Sequence, residues 1–179
     1  LAVLFSSAVF AQKQTRTIDK NLSIPSGAGN TLTVFGAPTG SVIVTSHALS
    51  RIEIAARITI EAPTAAGLDQ LAALTGFVTE EGAASLTIRT VGTHNKLGDK
   101  KIWKKLPKEL LTQPFRIDYV LKVPRFLDLN INGGSGDLDI SGVEGSIRVS
   151  FATTKGRVVL VGGGLSAQIG EGSLDVLFP

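Results

Sequence analysis

The residues with the clearest capacity for chemistry in this sequence are six lysines grouped around its single tryptophan. The lysines and the aromatic residue between them are Lys96, Lys100, Lys101, Trp103, Lys104, Lys105 and Lys108. An indole ring offers apolar area and the ammonium groups offer long-range attraction, so the segment suits an anionic membrane surface or an anionic polysaccharide. A solvated loop, with the tryptophan tucked onto the domain and the lysine stems lying along it, fits the same residues. The sequence leaves both interpretations open.

Metal-ligating residue types are too few and too scattered to predict a metal or cofactor site. The chain has no cysteine and only two histidines, His47 and His94, which fall on predicted turns far apart in sequence. The segment Gly133-Gly-Ser-Gly-Asp-Leu-Asp-Ile140 is similar to a calcium-binding β-roll repeat. Its aspartates fall at the fifth and seventh positions, where that repeat requires the sixth, and the segment occurs once. We therefore expect no metal and no cofactor, and we interpret these aspartates as solvent-facing.

No catalytic set can be assembled from the residue types present. There is no G-x-S-x-G nucleophile elbow, and the acidic pair Glu80 and Glu81 lies on a predicted turn, where solvated carboxylates are expected. We predict a protein that is not an enzyme and has no catalytic residues. A carbohydrate-active enzyme, a lyase or hydrolase on a β-solenoid, is the alternative, and it would require acids clustered in a groove.

Composition and the first residues predict export. The formal net charge of the 179-residue chain is +3, too small to indicate nucleic-acid binding. Residues 1–11 are uncharged and mostly apolar and end in Val9-Phe10-Ala11, which is typical of the end of a secretory signal peptide. A cysteine-free exported chain must depend on its core, as bacterial envelope proteins do. We expect an exported protein of the periplasm, the cell surface or the secreted fraction.

Residues 125–179 read as one short unit repeated: a glycine, then a brief strand with apolar residues at alternate positions. The glycines that open successive units are Gly136, Gly145, Gly156, Gly164 and Gly172. Side chains two apart in a strand share a face, so each unit has one apolar and one polar face. A single unit cannot bury its apolar face alone, whereas stacked units share a core.

The predicted fold is mainly β, with a single-stranded-coil β-solenoid-like ladder in the C-terminal half. A β-sandwich is the alternative, because the spacing of these glycines fits hairpin arms as well as two strands per coil. The ladder continues from an irregular β region, 12–124, which carries one short helix at about 64–75. Thr64 can cap that helix, and Thr75-Gly76 can end it. No flexible linker separates the halves, so we expect one domain over 12–179.

Several segments resemble a known bacterial family. These are Tyr119-Val-Leu-Lys-Val-Pro124, Leu127-Asp-Leu-Asn-Ile131, Gly136-Asp-Leu-Asp-Ile-Ser-Gly-Val-Glu-Gly145 and, upstream, Gly40-Ser-Val-Ile-Val44. Their order and spacing resemble the bacterial putative adhesin domain of unknown function and the related auto-transporter-adhesin head-like domain. The resemblance implies a right-handed, glycine-punctuated β-solenoid-like fold in exported or envelope-associated proteins with no established enzymatic activity. The ladder ends abruptly after few units, so we expect a short chain or a cap outside this sequence.

The sequence as a whole predicts an exported, non-enzymatic protein with a structural or surface-adhesion role. Its expected partners are a polysaccharide, an anionic membrane surface or another envelope protein, and nucleic acid is not expected. The exposed sheet face and the segment from Lys96 to Lys108 are the expected contact surfaces.

Overall fold

The computed structural model describes residues 13–25, 31–159 and 162–178. The predicted signal remnant, 1–11, lies outside the described residues. The strands are β1 (Gln14–Pro25), β2 (Thr31–Phe35), β3 (Val42–His47), β4 (Arg51–Ala62), β5 (Gly76–Glu81), β6 (Ser85–Val91), β7 (Phe115–Pro124), β8 (Asp128–Ser135), β9 (Leu138–Ser141), β10 (Ile147–Val159) and β11 (Leu165–Leu177). The helices are α1 (Ala65–Leu74) and α2 (Lys100–Lys105), followed by a 3₁₀ turn, Lys108–Leu110. The prediction of a mainly β protein is confirmed.

The strands of the described residues form one curled sheet. Its order is β1-β4-β7-β3-β9-β10-β8-β2-β6-β5, with β11 also paired to β10. The first half of β10 pairs with β8 and its second half with β9, so this one strand is hydrogen-bonded to both halves of the sheet. Tyr119 of β7 and Thr90 of β6 are far apart in strand order, yet their hydroxyl oxygens lie 2.8 Å apart. The two halves of the sheet therefore face each other across a common interior.

Residues that stack on one another in the ladder are separated by a constant interval in sequence. Each repeat contains a bend, with one strand segment before it and one after it. Ile147 pairs in parallel with Leu129 on one side and with Leu165 on the other, and these two partners are equally distant from it along the chain. Gly156 pairs with Leu138 and Leu174 at the same offset. We call each bent level of this stack a rung. β10 and β11 are two rungs, and β2 with β3, and β8 with β9, form two more. The glycine-delimited units before and after Gly156 are consequently joined into the single strand β10, because the hydrogen-bonded register continues around the bend.

The core is made by alternate residues of the stacked rungs. Ile140 and Val149 are buried, whereas Leu174 on β11 is half-buried because β11 has only β10 beside it among the described strands. The largest fully buried side chain is Tyr119, which also meets the ring of Phe77 edge to face at 6.0 Å. Alternation of apolar and polar residues was therefore a sound guide to which side chains face the interior.

The N-terminal part adds antiparallel strands and a helix to the stack. β1 pairs with β4 and β4 with β7, while β5 pairs with β6. Helix α1 begins where predicted, because the Thr64 hydroxyl accepts a hydrogen bond of 3.1 Å from the Gly67 N–H. Leu68 and Leu71 of this helix join the same buried cluster as the strands. The predicted helix at about 64–75 is confirmed.

Bends of the rungs bring backbones into direct contact. Gly40 has a φ of +150°, and a Cβ at this position would collide with the carbonyl oxygen of Ile117. Gly172 has a φ of +112° and would collide in the same way with the carbonyl oxygen of Thr154. Only glycine meets both requirements, the left-handed backbone and the absent side chain.

We expect Gly40→Ala to destabilise the fold by at least about 2 kcal/mol, since strain and a backbone clash act together. Gly164→Ala is the matched control, because no atom lies within 4 Å of a Cβ built there. It should change the free energy of unfolding by less than about 0.5 kcal/mol. Urea unfolding of both variants is the measurement. Equal urea midpoints for Gly40→Ala and Gly164→Ala would contradict the conclusion that the bend requires glycine at position 40.

Burial raises the pKa of Tyr119 to about 12 from its ordinary value near 10, and the Thr90 hydrogen bond offsets part of this effect. Between pH 10 and 12 the unfolded chain loses the phenolic proton first, so this contribution to stability is complete below pH 10 and is lost as pH rises. We expect about 1 kcal/mol of lost stability at pH 11 relative to pH 9. Tyr119→Phe should lack this loss.

The chain has one tyrosine, so its ultraviolet absorbance titration reports Tyr119 alone. Urea unfolding at pH 9 and pH 11 then compares the two proteins. A midpoint of tyrosine ionisation near pH 10 in the folded protein would overturn the assignment.

Candidate functional site

The basic segment contains a short helix, α2, whereas the sequence predicts only one helix, at about 64–75, in the region 12–124. α2 begins at Lys100 because the Asp99 carboxylate accepts a hydrogen bond of 2.7 Å from the Lys101 N–H. The helix ends at Lys105, and Pro107 precedes the 3₁₀ turn. Asp99 was the available signal, since an aspartate before a run without glycine is a typical N-cap.

The indole ring of Trp103 lies against the body of the protein. The side chain is partly buried, and its Nε1 is buried without a hydrogen-bond partner among the described residues. A Cβ built on Gly98 would lie 3.5 Å from this Nε1 and close to Leu74 of α1. The tryptophan is therefore held beside the loop around Gly98, and this loop lies against Leu74 at the end of α1. This is the tucked-in placement that the sequence left open.

Three of the lysines and the tryptophan line an open surface pocket of about 390 Å³. It is lined by Lys96, Lys100, Trp103 and Lys104. We call this the lysine cavity. Lys100 and Lys104 are four residues apart on α2, which places them on one side of the helix. The remaining three lysines, Lys101, Lys105 and Lys108, are exposed but do not line the cavity.

The electrostatic character of this segment is strongly positive. Residues 96–108 carry six lysines against the acids Asp99 and, just beyond the segment, Glu109, and all six lysines are exposed. None of these ammonium groups lies within ion-pair distance of a carboxylate in the described part of the chain. A cavity with a tryptophan in its wall and cations around it can hold a ring-shaped group that bears an acid.

The other candidate residues of the sequence are not brought together. His47 ends β3, while the ring of His94 lies 5.4 Å from the ring of Phe115, and partial burial lowers the pKa of His94. Asp139 lies on β9, and Asp137 comes just before that strand. Over residues 13–25, 31–159 and 162–178, no group of three or more His, Asp or Glu side chains is placed to hold a metal ion.

The two outer faces of the curled sheet differ in how their polar groups are used. On the face made by β1, β4 and β7, ion pairs join neighbouring side chains: Arg57 to Asp19 at 3.0 Å and Arg116 to Asp118 at 2.7 Å. We call this the charged face. Desolvation alone would raise the pKa of Asp118, but hydrogen bonds from Arg116 and Ser41 outweigh it and hold this pKa below its ordinary value.

The opposite outer face presents mostly uncharged polar side chains in rows across five parallel strands. The strand registers align one row as Thr87, Thr33, Asn130, Arg148 and Ser166, and a second row as Arg89, Phe35, Asn132, Ser150 and Gln168. We call this the polar face. A depression of about 430 Å³ lies at one end of the first row, and its polar lining is Thr31, Asp128, Asn130, Ser146, Arg148 and Ser166. The sequence predicts an exposed sheet face as a contact surface but not these rows, because the rows depend on the register between strands distant in sequence.

No protein-family model matches the chain, and no curated protein matches it. Among solved structures, the chain is similar to a protein of Clostridium sporogenes described as a putative cell adhesion protein, with 9% identity and a TM-score of 0.49 over 92% of this chain and 100% of that one. A Parabacteroides distasonis protein described as a putative lipid binding protein has 14% identity and a TM-score of 0.29, over 93% of this chain and 66% of that one. A putative adhesin from Bacteroides fragilis has 12% identity and a TM-score of 0.28, over 91% and 94%.

Identities of this size carry no functional information, so function must be argued from the chain's own side chains. Within the described residues, no helix combines the length and the apolar character needed to cross a membrane.

We expect iodide to quench the fluorescence of Trp103 more strongly than neutral acrylamide does, relative to free tryptophan, because the lysine cavity concentrates anions. The chain has one tryptophan, so the signal comes from this site alone. Replacing Lys96, Lys100 and Lys104 together with Gln should reduce the iodide quenching constant by roughly half and leave the acrylamide constant unchanged. A quenching constant for iodide that is insensitive to the substitutions would contradict this electrostatic description.

Proposed function

We propose that the chain is an exported, non-enzymatic binding protein of the bacterial cell envelope that attaches to an anionic polysaccharide through the lysine cavity. The observation that carries the proposal is the convergence of Lys96, Lys100 and Lys104 on the indole of Trp103 around about 390 Å³. A sugar ring can lie on the indole while its carboxylate or sulfate meets the ammonium groups. The remaining lysines add long-range attraction for a polyanion.

The placement of Trp103 favours a polysaccharide over an anionic membrane surface. Insertion into a lipid interface requires an aromatic side chain that projects into the headgroup region. Here the indole nitrogen lies beside Gly98, which itself lies close to Leu74 of α1, and this Nε1 is buried. The lysines could still attract anionic lipid, or an acidic surface of another envelope protein, so both serve as competing partners in the test.

The lining of the lysine cavity contains no carboxylate among the described residues, which supports binding rather than hydrolysis or lyase chemistry at this position. General acid–base catalysis on a glycosidic bond needs a group that donates and accepts protons beside the bond. A carbohydrate-active enzyme remains the second functional class, and release of reducing ends from a bound polysaccharide would identify it.

For the fold, we propose that the bent rungs form a short β-solenoid within a single domain. The support is the constant sequence offset between stacked residues, which holds on both sides of the bend in β10. One buried cluster also includes residues from β4 and α1 as well as from β10. An experimental structure in which the residues of the ladder stacked at varying offsets would overturn this proposal.

Polygalacturonate, an acidic polysaccharide, should bind the protein and change the fluorescence of Trp103, whereas neutral dextran should not. Replacing Lys96, Lys100 and Lys104 with Gln should weaken binding by about tenfold, the sum of three partly screened ion pairs. The matched control replaces Lys101, Lys105 and Lys108 with Gln, which removes the same charge from the same segment but outside the lysine cavity. We expect the control to lose less than about threefold.

Equal losses in the two triple variants would overturn the role of the cavity, because net charge alone would then explain binding. Stronger binding to vesicles with anionic lipid than to polygalacturonate would overturn the choice of a polysaccharide. Thermal unfolding of each variant verifies that the fold is retained.

A further inference from the structure

The polar face holds hydrogen-bonding groups that the protein itself leaves unused. Among the described residues, the side chains of Thr33, Arg148 and Gln168 make no hydrogen bond or ion pair with other side chains or with the backbone. The charged face is different, because Arg57, Asp118 and their neighbours satisfy one another. A surface whose donors and acceptors have no partner in the protein can form new hydrogen bonds with a ligand. A surface whose polar groups are already paired with one another gains little binding free energy.

We propose that the polar face binds an extended, neutral polysaccharide chain laid across the parallel strands. The two rows supply hydroxyl, amide and guanidinium groups, which are the partners that sugar hydroxyls need. Phe35 adds a partly exposed aromatic ring to the second row, and the guanidinium of Arg89 lies 4.4 Å from its centroid. The depression of about 430 Å³ at the first row gives one ring of the chain a place to sit.

The charge on this face favours a neutral ligand. Arg89 lies 3.8 Å from the carboxylate of Glu80, and Arg148 shares the lining of the depression with Asp128. The rows hold two arginines and no carboxylate, but Glu80 and Asp128 lie beside them. An acidic chain would therefore meet a carboxylate near each guanidinium. Sugar hydroxyls can accept from the one and donate to the other.

The regular spacing of the rows favours an extended chain. Adjacent strands repeat at about 4.8 Å, and equivalent side chains in one row repeat at the same interval. A β-1,4-linked glucan keeps a straight, ribbon-like form and presents hydroxyls at a comparable repeat along its length. An α-1,4-linked glucan of the same sugar coils, and it cannot keep its hydroxyls in register with five strands.

This site is separate from the lysine cavity and does not depend on it. The rows belong to β2, β6, β8, β10 and β11, whereas the lysine cavity belongs to α2 and the loop before it. Failure of one proposal therefore leaves the other standing. The variant with Gln at Lys96, Lys100 and Lys104 should bind a neutral ligand on the polar face as the unmodified protein does.

The test is a titration of the isotopically labelled protein with cellohexaose and, separately, with maltohexaose, followed by amide chemical shifts. Cellohexaose should shift amides of β2, β8 and β10 and bind at least about fivefold more tightly than maltohexaose. Arg148→Ala should weaken binding of cellohexaose at least about tenfold, the loss of a hydrogen bond to a charged group. Asn130→Ala should weaken it about threefold, the loss of a neutral one.

Arg157→Ala is the matched control, since Arg157 is also exposed and lies on the same strand, but outside both rows, on the half of β10 that pairs with β9 rather than with β8. Its affinity for cellohexaose should equal that of the unmodified protein. The proposal is overturned by the absence of shifts at the solubility limit of cellohexaose, by equal binding of both sugars, or by equal losses in Arg148→Ala and Arg157→Ala.

Discussion

The whole structure depends on carrying backbone hydrogen bonds around a bend. Each rung turns from one half of the sheet to the other, and the next rung must follow at the same place for the pairing to continue. At the bend the chains approach so closely that Gly40 and Gly172 leave no room for a side chain against the carbonyl oxygens of Ile117 and Thr154. The constant repeat of β8 with β9, β10 and β11 follows from this constraint, because these rungs have the same number of residues on both sides of the bend. The rung of β2 with β3 accommodates one residue more.

The interior and the two outer faces are consequences of the same stack. Inward positions of successive rungs superimpose, so apolar residues make one continuous core that Tyr119 and Thr90 bridge with a hydrogen bond. Outward positions superimpose as well, and each face is therefore a set of rows rather than a random surface. The charged face joins its polar groups in close ion pairs within the protein, whereas Thr33, Arg148 and Gln168 on the polar face have no such partner among the described residues. This difference, together with the lysine cavity on α2, separates surfaces that can hold a ligand from a surface that mainly supports the fold.

Sequence alone could predict the local features and could not predict the contacts that join distant segments. Alternation identified Ile140 and Val149 as interior residues, and Thr64 with Gly76 bounded α1, because these signals lie within a few residues of one another. The lysines around Trp103 were also evident as a group. Their convergence on one cavity was not, since it depends on Gly98 and α1 holding the indole in place. The joining of two glycine-delimited units into β10 likewise needs the neighbouring rungs, whose pairing holds the strand together through the bend.

The half-buried state of β11 implies that resistance to local opening is graded along the stack. Leu165, Ile169 and Leu174 are partly exposed, whereas their equivalents one rung earlier are covered on both sides. A rung between two others must separate from both neighbours to open, whereas β11 has one neighbour, β10, among the described strands. Amide protons on β11 should consequently exchange with solvent through frequent local fluctuations. Those on β8 and β2 should exchange only when a larger part of the sheet unfolds. Local opening of β11 therefore breaks fewer contacts than local opening of a rung in the middle of the stack.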